Sequence, residues 1–146
     1  MTIKHLLIFS LFVSTNLQAN TFIQEQYGEV TLDNITEVYD GDSFKANINS
    51  WPAIIGKEII VRIKGIDAPE LPGKCQQEHL LAKLSRQHTA QLLDQSFRIE
   101  LKNMQRDRYF RILADVYVDR IDLGKSLISH HLAIPYQGGP KHNWCQ

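Results

Sequence analysis

Five charged residues carry the chemistry that this sequence can do. Asp42 ends an Asp40-Gly41-Asp42 turn signal, and Asp67 and Glu70 fall in Ile66-Asp67-Ala68-Pro69-Glu70. Arg62 interrupts an apolar run, and Arg111 closes Arg108-Tyr109-Phe110-Arg111. Hard cations take oxygen ligands, and phosphodiesters match the planar fork of arginine. A set holding both kinds points to metal-assisted cleavage of a phosphate ester. Asp42 and Asp67 can give two carboxylates to one hard cation, with main-chain carbonyls and water completing the shell. Glu70 can hold a water as general base, a role that typically contributes about 10² to 10⁴-fold. Arg62 and Arg111 can bracket the phosphate and neutralise charge as the transition state forms.

Each motif alone has a plainer explanation. Asp-Gly is a common hairpin turn. Asp67 to Glu70 follows a strand-like run, where polar residues ordinarily begin. Arg62 could face solvent on a half-exposed sheet. The functional meaning lies in the combination.

These residues need a scaffold, and the hydrophobic pattern predicts one. Val30, Leu32 and Ile35, continued by Asn34 to Val38, read as strand-like sequence, followed by the turn at Asp40-Gly41. Ser43 to Ile48 reads as a second strand, ended by Asn49-Ser50-Trp51-Pro52. Lys57 to Ile66 is rich in β-branched residues, with Arg62 and Lys64 alternating against Val61 and Ile63. Pro69, Pro72 and Gly73 exclude regular structure from about 67 to 74. Cys75 to Gln95 predicts a helix with Leu81, Leu84, His88 and Leu92 near one stripe. Phe97, Ile99 and Leu101 alternate as a strand, Asn103 to Tyr109 reads as a polar connection, and Ile112 to Val118 as a fifth strand. Asp122 is placed to cap a short helix from Leu123 to His131, before an irregular tail at Gly138-Gly139-Pro140. Short strands with an inserted helix fit a five-stranded Greek-key barrel, the OB-fold, with two or so helices packed against it. Open α+β sheets would give a similar string.

The first nineteen residues read as a secretory signal. Lys4 and His5 precede an apolar run, Leu6 to Val13, and Leu17-Gln18-Ala19 ends on a small residue. The run is far shorter than the ~20 residues of a membrane span. Residues 20–146 are expected to form one domain with one core. The chain has 16 basic and 16 acidic side chains. Loss of Lys4 with the signal leaves 15 against 16, which argues against a nucleic-acid coat protein and allows an enzyme gripping a few phosphates. Cys75 and Cys145, the only cysteines, most simply form one disulfide in an exported chain. Closing a loop of that length would stabilise by about 4 kcal/mol in the chain-entropy model. The expected location is the medium or the periplasm of a bacterium, with no membrane association after signal removal and a monomeric state.

The chain resembles the staphylococcal nuclease (thermonuclease) family. The resemblance is carried by Val38-Tyr39-Asp40-Gly41-Asp42-Ser43, by Val61-Arg62-Ile63-Lys64-Gly65-Ile66-Asp67-Ala68-Pro69-Glu70, and by Asp107-Arg108-Tyr109-Phe110-Arg111. It extends from residue 30 to about 136. It implies an OB-fold, Ca²⁺-dependent nuclease acting on DNA and RNA, with one Ca²⁺ ion and 3′-phosphate products. By motif, Asp42 and Asp67 resemble the calcium carboxylates, and the backbone carbonyl of Ala68 a further ligand. Glu70 resembles the base, Arg62 and Arg111 the phosphate-binding arginines, and Tyr109 and Tyr136 the aromatic groups bordering the nucleotide. Asp40 belongs to the same acidic turn, outside the direct ligands.

Four departures accompany the resemblance. Phe110 and His131 stand where the family usually has glycine. A lysine-rich loop is shortened to Leu71-Pro72-Gly73-Lys74. Only ten residues follow Tyr136, so the family's terminal helix has no room, and a Cys75–Cys145 bond is expected to tie the tail down instead. His79, His88, His130, His131 and His142 have no zinc-like spacing. Arg106 and Arg108 read as a solvated loop around Asp107, and Trp51 and Trp144 as packing anchors. Two other functions are compatible with the residues: a catalytically impaired nucleic-acid-binding module of the same fold, favoured by Phe110, and a small exported interaction protein whose acids only solvate turns.

Overall fold

β-Branched and other apolar residues spaced two apart build the strands of this protein. In the computed structural model, residues 27–146 are described; the expected signal over 1–19 and the lead-in to Gln26 lie outside them. The strands are β1 (Val30–Thr31), β2 (Asn34–Val38), β3 (Ser43–Asn47), β4 (Ile59–Ile63), β5 (Ile66–Asp67), β6 (Ile99–Arg106), β7 (Ile112–Val118), β8 (Ile121–Asp122) and β9 (Ile134–Pro135). The helices are α1 (Ala53–Gly56), α2 (Gln76–Asp94) and α3 (Leu123–Ser129). None of the described helices is long and apolar enough to cross a membrane.

The main sheet runs β1-β6-β7-β4-β3-β2, with β8 beside β7. β4 and β7 are parallel, and the other pairs of this sheet are antiparallel. β1 and β2 are pieces of one segment that changes partner. Val30 pairs with Leu101 of β6, whereas Asn34 pairs with Asn47 of β3. Between them Leu32 donates to Ile99 and Asp33 to Asn47. The two ends of the sheet are thereby bridged, and this strand order is the OB-fold barrel. β7 shows why the barrel holds: Ile112, Ala114, Val116 and Val118 are buried, every second residue. They pack with Phe44, Val61, Ile63, Leu101, Leu123 and Leu127, all at 2% exposure or less. Burial of each large side chain contributes roughly 1.5–3 kcal/mol.

Three expectations need correction. β6 continues through Asn103 to Arg106 instead of ending in a polar connection. The register slips between Lys102 and Gln105, and Asn103 takes φ 50°. That bulge breaks the alternation, so the second half of the strand does not read as one. The buried face of α2 is Glu78, Ala82, Ser85, Thr89 and Leu93, one residue round from the expected stripe, and Leu84 is exposed. Small and hydroxyl residues face inward there because the helix lies close to the barrel. Phe97 is fully exposed, outside the strand whose alternation it suggested. The cap at Asp122 is present, its carboxylate accepting from Lys125 N, although α3 ends at Ser129.

Candidate active site

The turn between β2 and β3 is built to deliver Asp42 inward. Asp40 Oδ1 accepts from Asp42 N (3.1 Å) and Ser43 Oγ (2.6 Å), closing the turn on itself. Helix α2 presses on its back. Thr89 Oγ1 donates to Gly41 O at 2.6 Å, and a Cβ on Gly41 would overlap Ser85 Oγ. Glycine is needed there for that close approach. The polar face of α2 thus serves as the support of an acidic turn. Asp42 ends up 1% exposed, its Oδ2 accepting from Ala68 N at 2.8 Å.

Arg62 in β4 is paired with Ser43 of β3 and Leu113 of β7, so its position is fixed from both sides. It is 8% exposed, which excludes the solvent-facing alternative. Its guanidinium pairs with Asp42 Oδ1, lies 3.6 Å from Asp67 Oδ1, and donates to Ile66 O at 3.2 Å. Burial pulls the Arg62 pKa below its ordinary value and Arg111 adds to this, while Asp40, Asp67 and Glu70 pull the other way. Asp67, in β5, is 1% exposed. Glu70 follows Pro69 out of the barrel, its side chain half exposed.

Arg111 follows the tip of the β6–β7 hairpin, and Asp107 organises that tip. Asp107 Oδ1 accepts from Tyr109 N and Arg111 N, both at 2.9 Å, and Oδ2 accepts from Arg111 Nε at 2.7 Å. Burial pushes the Asp107 carboxyl up, but these hydrogen bonds outweigh it and hold the group below its usual range. Phe110 adopts φ 66°, the left-handed region that glycine prefers. Its ring lies under the Arg106 guanidinium at 4.4 Å, while Tyr109 carries Arg108 at 4.9 Å and Arg111 at 5.4 Å. Arg106 and Arg108 therefore stack on exposed rings rather than only solvating a loop.

The tail completes the wall. β9 pairs with β5 at Ile66↔Pro135 and Asp67↔Ile134, and Tyr136 N donates to Gly65 O. Cys75 and Cys145 form a disulfide with Cα atoms 5.9 Å apart. Between these anchors, Lys141 Nζ pairs with Glu70 Oε1 and lies 3.6 Å from Asp67 Oδ1. His142 N donates to Asp67 Oδ2 at 3.3 Å. A cleft of about 620 Å³ results, lined by Arg62, Glu70, Tyr109, Arg111, Tyr136 and Lys141 among others.

The donor set suits a hard cation. Asp42 Oδ1 and Asp67 Oδ1 are buried; the first is met by the Arg62 guanidinium, and the second receives no hydrogen bond, with Arg62 and Lys141 each 3.6 Å away. Oxygens in that condition can serve as ligands. The described residues hold no cluster of three or more His, Cys, Asp or Glu placed for a metal. Main-chain carbonyls and water would supply the remaining ligands; Ala68 adjoins Asp67 and donates its N–H to Asp42.

A family profile described as staphylococcal nuclease homologue matches residues 60–143. The chain belongs to the staphylococcal nuclease family. A curated protein named probable endonuclease LCL3, from Colletotrichum graminicola, is 31% identical over 138 residues, covering 77% of this chain. The chain spans about half the length of that relative, 48%.

The nuclease-family match takes in Arg62, Asp67, Ala68, Glu70, Cys75, Tyr109, Arg111 and Tyr136 and leaves Asp42 and Cys145 outside. The barrel nevertheless brings Asp42 onto Arg62 beside Asp67. Tyr136 borders the cleft, its hydroxyl donating to Gly139 O at 2.6 Å. His131, the second departure from the family's glycines, has φ 56°. It occupies the turn after α3, where Leu132 N donates to Leu127 O and His131 N to Ile128 O. Two contributors escaped the sequence analysis. Asp107 was signalled by its Asp-Arg spacing around a hairpin tip. Lys141 was signalled by arithmetic on the disulfide, since Cys75 lies five residues past Glu70 and Cys145 four past Lys141.

Proposed function

We propose that this chain is a nuclease that hydrolyses phosphodiester bonds of DNA or RNA, depends on one Ca²⁺ ion, and leaves 3′-phosphate ends. One observation carries the proposal: Glu70, Arg62 and Arg111 line one cleft, and the Arg62 guanidinium links it to the buried carboxylates of Asp42 and Asp67. The product polarity and the calcium rest on family membership. The name of the curated relative agrees with cleavage inside a chain.

Asp42 and Asp67, with the Ala68 carbonyl, would hold the ion, which supplies positive charge to a phosphate oxygen at the reacting centre. Glu70 orients a water and takes its proton as the oxygen attacks phosphorus in line; the bond from phosphorus to the 5′ oxygen breaks, and that oxygen leaves and takes a proton from solvent. Arg62 and Arg111 bind the non-bridging oxygens and stabilise the charge that grows on them. Asp107 holds the Arg111 fork in place. Tyr109 and Tyr136 flank the nucleotide and restrict its rotation. The disulfide suits an oxidising compartment, which supports export guided by residues 1–19 to the medium or periplasm. Every proposed site residue comes from one chain, so a monomer suffices.

The test is release of acid-soluble nucleotides from DNA and from RNA, with calcium and with chelator. Activity should vanish with chelator, and Glu70→Gln or Arg111→Ala should lower turnover by roughly 10² to 10⁴-fold. The pairing of Glu70 with Lys141 favours a second function, nucleic-acid binding without cleavage. Binding that persists with no calcium-dependent release would decide for it.

A further inference from the structure

We propose that Lys141 is a positioning residue that holds Glu70 until a divalent cation takes Asp42 and Asp67, so that cation binding and release of the base are coupled. The coupling rests on the assignment of those two aspartates to the cation and of Glu70 to the base.

A single ammonium touches both halves of the site. Lys141 Nζ pairs with Glu70 Oε1 and lies 3.6 Å from Asp67 Oδ1, a buried oxygen that receives no hydrogen bond. The main chain fixes this placement at both ends. β9 is paired to β5 on one side, and Cys145 is bonded to Cys75 on the other. His142 N adds a hydrogen bond to Asp67 itself. Lys141 is therefore confined near these carboxylates, whereas an untethered lysine would sample solvent.

The consequence for Glu70 is direct. A carboxylate oxygen engaged by an ammonium cannot also orient a water. A divalent ion on Asp67 would place like charge beside Nζ. Lys141 must then withdraw, and Glu70 is left free. The two cations compete for Asp67, so the lysine weakens divalent binding by roughly tenfold, allowing for screening at a half-exposed side chain.

The experiment is calorimetric titration of Ca²⁺ into the disulfide-bonded chain, without nucleic acid. Lys141→Met should bind calcium about tenfold more tightly than the wild type, and Lys141→Arg should stay near the wild-type value. The double variant Cys75→Ala/Cys145→Ala, checked for folding by circular dichroism, should shift in the same direction as Lys141→Met. Equal or weaker binding by Lys141→Met, with calcium binding by the wild type intact, would overturn the coupling and leave the cation assignment standing. Binding by neither protein would overturn both.

Discussion

Arg62→Met offers the sharpest test of the electrostatics at the site. Arg62 is 8% exposed, and the two carboxylates it faces are each 1% exposed. Methionine keeps much of the apolar stem, so the loss is mainly of charge. Without the guanidinium, Asp42 Oδ1 has no ion pair and Asp67 Oδ1 keeps only Lys141. Breaking a buried pair in this way costs about 3–5 kcal/mol. Urea unfolding in chelator, followed by circular dichroism, measures it. Calcium at a hundredfold its dissociation constant adds about 2.7 kcal/mol to any protein that binds it only when folded. At equal calcium the gain should be larger in Arg62→Met than in the wild type, because a competing cation has gone. Adding Asp42→Asn in chelator should recover part of the loss, since one stranded charge is removed with its partner. A loss below about 1 kcal/mol for Arg62→Met would refute the account, because a group so deeply paired cannot be that cheap to remove.

Two further perturbations follow from the backbone and from Asp107. Left-handed residues other than glycine carry about 1–2 kcal/mol of strain. His131→Gly should therefore raise the urea midpoint, and Phe110→Gly should raise it less, because the Arg106 stack, worth about 0.5–1 kcal/mol at an exposed site, is lost. A midpoint lowered in both variants would contradict this. Asp107 titrates below its usual range in the folded protein, so its stabilisation is complete above the ordinary carboxylate value of about 4 and disappears as pH falls through the lowered one. Stability against pH should accordingly decline less below about pH 4 in Asp107→Asn than in the wild type, read as urea midpoints across that range.

The legible parts of the fold were those with uninterrupted periodicity. β7 alternates over its whole length, and the run around β4 announced both the strand and the anomaly of a charge inside it. The second half of β6 was hidden by the bulge at Asn103. The inner face of α2 was hidden because it is made of Ala82, Ser85 and Thr89, which hydrophobicity cannot distinguish from a surface. At the site, Asp42, Arg62, Asp67, Glu70, Tyr109, Arg111 and Tyr136 were found by type and motif, and the barrel gathers them. Lys141 was not, because its place depends on the two-residue pairing of β5 with β9 and on a sulfur bridge, neither of which leaves a periodic trace. Phe110, standing where the family usually has glycine, accepts a left-handed backbone and stacks under Arg106.

The bridge formed by β1 and β2 bears on when this molecule can begin to work. Asp42 sits in the turn between β2 and β3, Arg111 on the hairpin that β1 clasps, and Lys141 between β9 and the disulfide. Hence no set of early strands could hold the whole cleft, however well they had paired. Competence would arrive as one late event in folding, and loss of the strand at either margin of the barrel should leave a protein with most of its mass and none of its chemistry.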